Sequence, residues 1–243
     1  MGTKVAVIAD VHGNSSALRS VLDDIDKDSE IQHIYCVGDM VGIGHETNEV
    51  LELLFSRHDI SFVMGNHEEE FIAILEGRES RSMGGEKEHH EWLVSRMDKK
   101  FTSKLKELPK KIMAEHEGKK ILFIHYHLDS KNQFLTIDNA PSVIKLDDLY
   151  IDSPVNMVCF GHHHPLHFYK SDQRLYLNPG SLGCYDKPFA RYAVLNIAAN
   201  IDVELKEIPY NNRDFLLAYE DLNVPVKDFI LKVFHGDQHL FLE

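Results

Sequence analysis

Seven side chains of metal-ligating type fall in five short blocks: Asp10-Val11-His12, Gly38-Asp39, Gly65-Asn66-His67-Glu68, His125 and Gly161-His162-His163-His164. Each block follows a short apolar run that reads as a strand. Ligands drawn from several strand ends can hold two ions in one cleft, whereas a single local Asp/His cluster holds one at most. A donor set of oxygen and nitrogen without sulfur suits manganese, iron, zinc or cobalt better than calcium.

Each block has its own chemistry. Asp10 and His12 stand two residues apart, and at an extended strand end they project the same way and can share a metal. Alone, the pair reads equally well as a helix cap and a surface histidine. Asp39 has two carboxylate oxygens and can bridge two cations, and Gly38 lets the backbone turn sharply beside it. Asn66 offers a carbonyl oxygen without adding charge. His67 is then free to face a phosphate, where an imidazolium would stabilise phosphoryl oxygens or protonate a leaving group. Glu68 either orients His67 or caps the following helix. His125 closes the apolar run Ile121–Ile124 and is the ligand candidate there. His127, on the same side, is a candidate for facing substrate or a hydrogen-bonded neighbour. Strand alternation directs His162 and His164 alike and sends His163 elsewhere. His58, His89, His90 and His167 receive no role.

The elements that must position these groups alternate. Apolar runs at 4–9, 31–37 and 60–64 predict strands. Helices are predicted after the first two, with Asn14 or Ser15 capping one and Thr47 the other. This βαβ order predicts a largely parallel sheet whose site lies beyond the strand carboxyl ends. Residues 68–111 predict a helical lid beside the cleft, with an ordinary packed helix pair as the alternative. Strands are predicted at 120–124 and 156–160, with a helix over 142–150 between them. Hairpins at 168–177 and 191–208 supply antiparallel pairs of a second sheet. Residues 211–243 return to helix and show little chemistry.

Composition narrows the function. The chain has 243 residues, is 43% hydrophobic, and carries a net charge of −13 with histidine neutral. That supports one α/β domain with a full core and disfavours duplex nucleic acid or an anionic membrane as partner. No apolar stretch of the ~18 residues a membrane span needs is present. Met1-Gly2-Thr3-Lys4 runs directly into strand-like sequence, so no signal peptide is expected. Cys36, Cys159 and Cys184 are widely spaced, which fits reduced buried thiols of a cytoplasmic protein and not a structural zinc site.

The order of the blocks resembles the calcineurin-like metallophosphoesterase superfamily, whose pattern is D-x-H, G-D, G-N-H-[DE], H, G-H-x-H. Ile8–Asn14, Val37–Gly44 and Leu177–Gly183, with its Asn178-Pro179-Gly180-Ser181 turn, resemble the smaller bacterial and archaeal phosphodiesterase branch. The resemblance covers about residues 4–197. Composition, without a linker or break, makes 1–243 one domain, with a 68–111 lid that departs from the shortest members of the superfamily and a 211–243 extension outside the resemblance. The resemblance implies a four-layer αββα sandwich, two mixed β-sheets flanked by helices. It also implies two divalent metal ions, manganese first and iron, zinc, cobalt or nickel as substitutes. One would be held by Asp10, His12, Asp39 and His164, the other by Asp39, Asn66, His125 and His162. A hydroxide between them would attack a small phosphorylated or nucleotide substrate, with His67 assisting. Alternatives are a diadenosine tetraphosphate or other nucleoside polyphosphate hydrolase and a phosphomonoesterase or protein phosphatase. The latter branch carries arginines after Gly-Asp, where this chain has Met40-Val41-Gly42. A non-catalytic scaffold, as in the retromer subunit of this fold, would have lost ligands first.

Overall fold

The computed structural model describes residues 2–242. The chain begins with β1 (Thr3–Ile8), whose alternate side chains go to different cores. Val5 and Val7 enter one apolar cluster, while Ala6 and Ile8 enter another. A strand buried on both faces is what a run such as Val-Ala-Val-Ile encodes.

Around β1 a five-stranded sheet assembles in the order β10-β9-β1-β2-β3. Here β2 is Ile31–Cys36, β3 Ile60–Phe62, β9 Phe189–Ile197 and β10 Ile201–Pro209. The β1–β2 and β2–β3 pairs are parallel, and β1–β9 and β9–β10 are antiparallel. A second five-stranded sheet runs β4-β5-β6-β8-β7. Its strands are β4 Lys111–His116, β5 Lys119–Ile124, β6 Met157–Cys159, β7 His167–Lys170 and β8 Leu175–Asn178. Both sheets are therefore mixed: the first is parallel through β1, β2 and the edge strand β3 and antiparallel on its β9–β10 side, and the second has a parallel core with antiparallel edges.

The sheets pack face to face. Val5, Val7, Tyr35 and Val37 of the first meet Ile121, Phe123, Met157 and Cys159 of the second. Tyr35 and Phe123 stack across this interface at 3.7 Å between ring centroids, 8° from parallel. Helices cover the outer faces. α1 (Ser15–Ile25), α2 (Thr47–Phe55) and α3 (Asn66–Leu75) lie on the first sheet, followed by α4 (Gly84–Arg96) and α5 (Thr102–Lys106). α6 (Val143–Leu149) covers the second, where Leu146 packs on Leu122, Val158 and Tyr176. α7 (Arg213–Asp221) and α8 (Lys227–His235) form a further cluster with Ile43, Cys184 and Trp92. No helix among the described residues is long and apolar enough to cross a membrane.

Two local details depart from the sequence reading. Asn14 caps α1 by accepting from Ala17 N at 3.0 Å. Thr47, however, is the first residue inside α2; Glu46 takes the cap position, and its carboxylate accepts from Ser15 N at 2.8 Å instead. The strand β4 has no counterpart in the sequence reading. It is an edge strand whose residues are nowhere fully buried, so its alternation is faint. Its signal was the turn: Glu117 and Gly118 both have positive φ, as a two-residue hairpin loop requires. In the 68–111 segment, Phe71, Leu93, Met97, Phe101 and Leu105 are all buried in the first sheet's outer core, so these helices are fixed to the body.

Phe123 is fully buried and is the second sheet's main contact with Tyr35. Phe123→Ala is expected to cost about 3–5 kcal/mol of unfolding free energy. Urea titration of both proteins checks this; a change under about 1 kcal/mol would mean the two sheets do not share this core.

Candidate metal centre

The five sequence blocks meet at one end of the sandwich, beyond β1, β2, β3, β5 and β6. Asp10, His12, Asp39 and His125 are each at most 1% exposed. The backbone there is not extended strand, as alternation predicted for Asp10 and His12. φ is +54° at Asp10, +47° at His12, +52° at Asp39, +67° at His162 and +62° at His164. Five candidate ligands thus sit in the left-handed region, which costs a non-glycine residue about 1–2 kcal/mol. Asp and His tolerate it better than most, and such strain gathers at functional sites.

The neighbouring segments hold these turns in place. Asp10 N donates to Gly38 O at 3.1 Å and His12 N to Asp39 O at 3.0 Å. Leu182 N donates to Ala9 O and Gly183 N to Asp10 O, while Gly161 N donates to His125 O. The Asn178-Pro179-Gly180-Ser181 turn adds side chains. Asn178 Nδ2 donates to Gly161 O, and Ser181 Oγ donates to Asp10 O. Arg191, buried beneath the turn, donates to His164 O at 3.0 Å. Glu68 is the main brace of the Asp39 loop. Fully buried, its carboxylate accepts from the N–H groups of Gly65, Asp39, Met40 and Val41 at 2.8–3.1 Å. It therefore caps α3 and organises the loop; it does not touch His67. Gly65 must be glycine, because a Cβ there would collide with Asp39 Oδ1.

The side chains then point inward. His125 Nδ1 donates to Val37 O at 2.9 Å, which turns Nε2 toward the centre. Around Nε2 stand Asn66 Oδ1 at 2.8 Å, Asp39 Oδ2 at 3.1 Å and His162 Nδ1 at 3.3 Å. His12 is oriented in the same way: Nδ1 donates to Val41 O at 3.2 Å, and Nε2 lies 2.8 Å from His164 Nε2. Asp10 Oδ1 accepts from His162 N, but Oδ2 is buried with no hydrogen-bond partner. A cluster of inward-facing lone pairs and an orphaned carboxylate oxygen calls for positive charge among them.

The electrostatics agree. Burial drives His12 well below its ordinary value, His162 and His164 down to about 4, and Asp10 up to about 7. Burial also disfavours a charged His125, yet the Asp39 carboxylate and its hydrogen bond, with Asp10, hold it up at about 9. For Asp39 burial is overcome by His125, His67 and His12, and its pKa lies well below the carboxylate range. The field that keeps a proton on His125 would hold a metal cation as well, and neutral imidazoles are the form that ligates.

Among the described residues three groups have ligand atoms within 4.8 Å of one another: His12, Asp39 and His67; Asp39, His125 and His162; His12, His164 and Cys184. Asp39 is common to the first two. Cys184 is absent from the sequence reading as a site residue; its proximity follows from its place just after the Ser181 turn. His163 turns away, bonding His167 at 2.8 Å. His127 corrects an expectation. β5 ends at Ile124, so alternation no longer applies at 127, and the ring packs on Tyr126 and Phe160 with Nδ1 on the Tyr150 hydroxyl at 2.9 Å. Among the described residues it does not line the cleft.

The cleft over the centre has a volume of about 680 Å³. Asp39, Asn66, His67, His162 and His164 form its polar floor. Val226, Phe229, Ile230 and Phe234, on and beside α8, form an apolar wall, with His89 and His90 of α4 opposite. Sequence reasoning placed α4 in a helical lid beside the cleft but gave His89 and His90 no role, and it gave α8 none, because α8 reads as an ordinary amphipathic helix. Phe234 approaches His164 at 5.6 Å between ring centroids.

Comparisons with known proteins agree with this geometry. The family model of the calcineurin-like phosphoesterase superfamily domain matches residues 3–200. An uncharacterised protein of Methanocaldococcus jannaschii is 30% identical over 192 residues, which is 74% of this chain and 76% of that protein. A hypothetical protein from Pyrococcus horikoshii has a solved structure with TM-score 0.81 at 17% identity, over 96% of this chain and 98% of that one. The structure of a metallophosphoesterase from Sphaerobacter thermophilus gives TM-score 0.72 at 20% identity, over 93% and 97%. At these identities the two structures speak for the fold. The family match ends before α7 and α8, whereas the Pyrococcus likeness extends past it.

The Glu68 brace yields a test. Glu68→Gln replaces an acceptor by an amide N–H facing backbone N–H groups. It is expected to weaken Mn²⁺ binding by about 10–100-fold, as loss of a ligand's support does. Calorimetric titration with Mn²⁺ measures this, and unchanged affinity would show that the loop holds its form without the carboxylate.

Proposed function

This chain belongs to the calcineurin-like phosphoesterase superfamily, and on that premise we propose that it is a two-metal phosphodiesterase acting on a small substrate with an apolar arm. The family is metal-dependent, and the structure holds the side chains for it. The observation that carries the reading is Asp39. Its one carboxylate belongs to two groups of ligand atoms, one with His12 and His67 and one with His125 and His162. That is the arrangement a bridging ligand needs.

In this reading Asp10, His12, Asp39 and His164 hold one divalent cation, and Asp39, Asn66, His125 and His162 hold the other. Manganese is the first choice because the resemblance implies it; the oxygen-and-nitrogen donor set accepts it as it does iron, zinc, cobalt and nickel. Two such cations supply Lewis acidity, drawing charge from the phosphoryl oxygens and making a water nucleophilic near neutral pH. The protein does the rest. Val37 and Val41 carbonyls fix the tautomers of His125 and His12. The α8 wall gives the cleft an apolar side through Val226, Phe229, Ile230 and Phe234. His67, at the N-terminus of α3, lines the cleft with its Nε2 3.9 Å from Asp39 Oδ2, within reach of a phosphate bound there.

Charge supports a diester over a monoester or a polyphosphate chain. Among the described residues lining this cleft there is no arginine or lysine, and Glu86 adds negative charge. A dianionic monoester or a tetraphosphate would lack counter-charge there, while a singly charged diester needs less. The Phe229–Phe234 wall fits an apolar or planar substituent on one ester oxygen.

Asp39→Asn is the direct test. Loss of several kcal/mol of charge stabilisation corresponds to a fall of roughly 10²–10³-fold in hydrolysis of bis-p-nitrophenyl phosphate with Mn²⁺. Near wild-type turnover would end the bridging role. Phe234→Ala is expected to raise KM for a diester with an aromatic arm about tenfold, the worth of ~1.4 kcal/mol of lost apolar contact, with kcat unchanged. Equal KM for aromatic and methyl diesters in the wild type would show that the wall is not a subsite.

A further inference from the structure

His89 is a buried polar side chain that the metal centre leaves unused. It lies on α4, is 4% exposed, and lines the same cleft as Val226, Phe229, Ile230 and Phe234. Neither of its ring nitrogens has a hydrogen-bond partner among the described residues. Buried polar groups are nearly always paired, so an orphaned ring at a cavity wall calls for an explanation.

The ring is held in place by its own helix. It lies nearly parallel to the Trp92 indole, 10° between planes and 6.4 Å between centroids, and Arg96 Cζ sits 3.9 Å over that indole. Residues 89, 92 and 96 share one face of α4, so the three groups line up along it. Gly85, one turn before His89, lets α4 approach the start of α8, because a Cβ there would collide with Val226 Cγ1.

Burial pushes the His89 ring down to about 4 and keeps it neutral, against the pull of the Ile43 and Pro225 carbonyls. Those carbonyls fall outside hydrogen-bond geometry. A neutral imidazole offers one N–H and one lone pair. Carbonyls can satisfy only the N–H, in either tautomer. The lone pair needs a donor, and none of the described residues provides one. A buried acceptor in that state is costly, and a bound ligand that donates to it removes the cost.

The remaining lining narrows the ligand. Phe229 and Phe234 offer aromatic rings, with Ile43, Val226 and Ile230 beside them, and no arginine or lysine is among the described residues that line this cleft. Such a wall takes a planar group. An arm without polar atoms would leave the His89 lone pair orphaned, and an anionic arm would meet no counter-charge. We propose that His89 is a specificity residue: it accepts a hydrogen bond from an N–H on the edge of a planar heteroaromatic arm, the class to which the pyrimidine and purine bases belong, seated against Phe229 and Phe234. Arms that lack the donor bind less tightly over the same metal centre.

The inference rests on the phosphodiesterase reading for its kinetic consequence, but binding of the arm is observable without any turnover. Thymidine 5′-(p-nitrophenyl phosphate) carries an N–H at N3, and its N3-methyl analogue does not. With Mn²⁺-loaded protein, KM for the methyl analogue is expected to be about tenfold higher, the worth of one buried hydrogen bond. His89→Leu is expected to erase the difference, and His89→Gln, which keeps an acceptor oxygen, to retain most of it. Equal KM for the two diesters in the wild type, or a difference that His89→Leu leaves intact, would overturn the proposal. Stability is the second readout. His89→Leu removes an orphaned polar group, so its urea midpoint is expected to match or exceed that of the wild type; a lower midpoint would show that the ring is bonded within the protein and overturn the proposal. A wild type that hydrolyses neither diester would overturn the function above. NMR titration of the Zn²⁺-loaded protein with thymidine and N3-methylthymidine still decides the inference: tighter thymidine binding that His89→Leu abolishes upholds it, and equal binding overturns it.

Discussion

The structure is organised around buried lone pairs that face one another. Asp39 Oδ2, Asn66 Oδ1 and His162 Nδ1 crowd the Nε2 of His125, and His12 and His164 bring two ring nitrogens to 2.8 Å. Such a cluster is repulsive unless positive charge sits within it. It is also geometrically expensive, because five of its members have left-handed backbone. At about 1–3 kcal/mol each, that strain is comparable with the whole net stability of a domain, about 5–15 kcal/mol. Only a surrounding structure that leaves no other conformation open can maintain it.

The fold supplies that constraint by crossing its chains. Residues from β1, β2, β5 and β6 leave their strands at one end of the sandwich and go on exchanging backbone hydrogen bonds there, Asp10 and His12 with the loop after β2 and Gly161 with His125, while Leu182 and Gly183 reach from the second sheet to Ala9 and Asp10 of the first. Glu68 closes the loop after β2 with three backbone N–H groups and ties it to Gly65 after β3 with a fourth, and the Asn178–Ser181 turn with Arg191 closes the loop after β6. The two-sheet core, stacked through Tyr35 and Phe123, sets the separation of those strand ends. Packing far from the centre and hydrogen bonds near it thus serve one purpose, which is to keep mutually repelling donors within a few ångströms.

Much of this was legible in the chain because ligand chemistry is local. The pattern Asp10-x-His12 or Gly65-Asn66-His67 names its residues directly, and the apolar runs before them place each at a strand end. Direction was harder. Alternation assumes extended backbone, and at Asp10, His12, His127, His162 and His164 the chain has already left the strand. It still converges at the first two and the last two, through left-handed turns that a two-residue period does not describe; at His127 it diverges. What depends on distant packing was not legible at all. His90 lies 23 residues from its partner His67, Cys184 reaches the centre only through the Ser181 turn, and α8 shows a common amphipathic pattern whose exposed Phe229 gains meaning only from the cleft it borders.

The central claim is that the cluster around Asp39 is a site for two divalent cations. Crystals grown with Mn²⁺, with anomalous scattering recorded at the manganese edge, test it most directly. The account predicts two anomalous peaks, one on each side of the Asp39 carboxylate, the first among His12, His164 and Asp10 and the second among His125, His162 and Asn66. A map with no peak in this cluster at saturating Mn²⁺, or with a single ion that Asp39 does not touch, would contradict it.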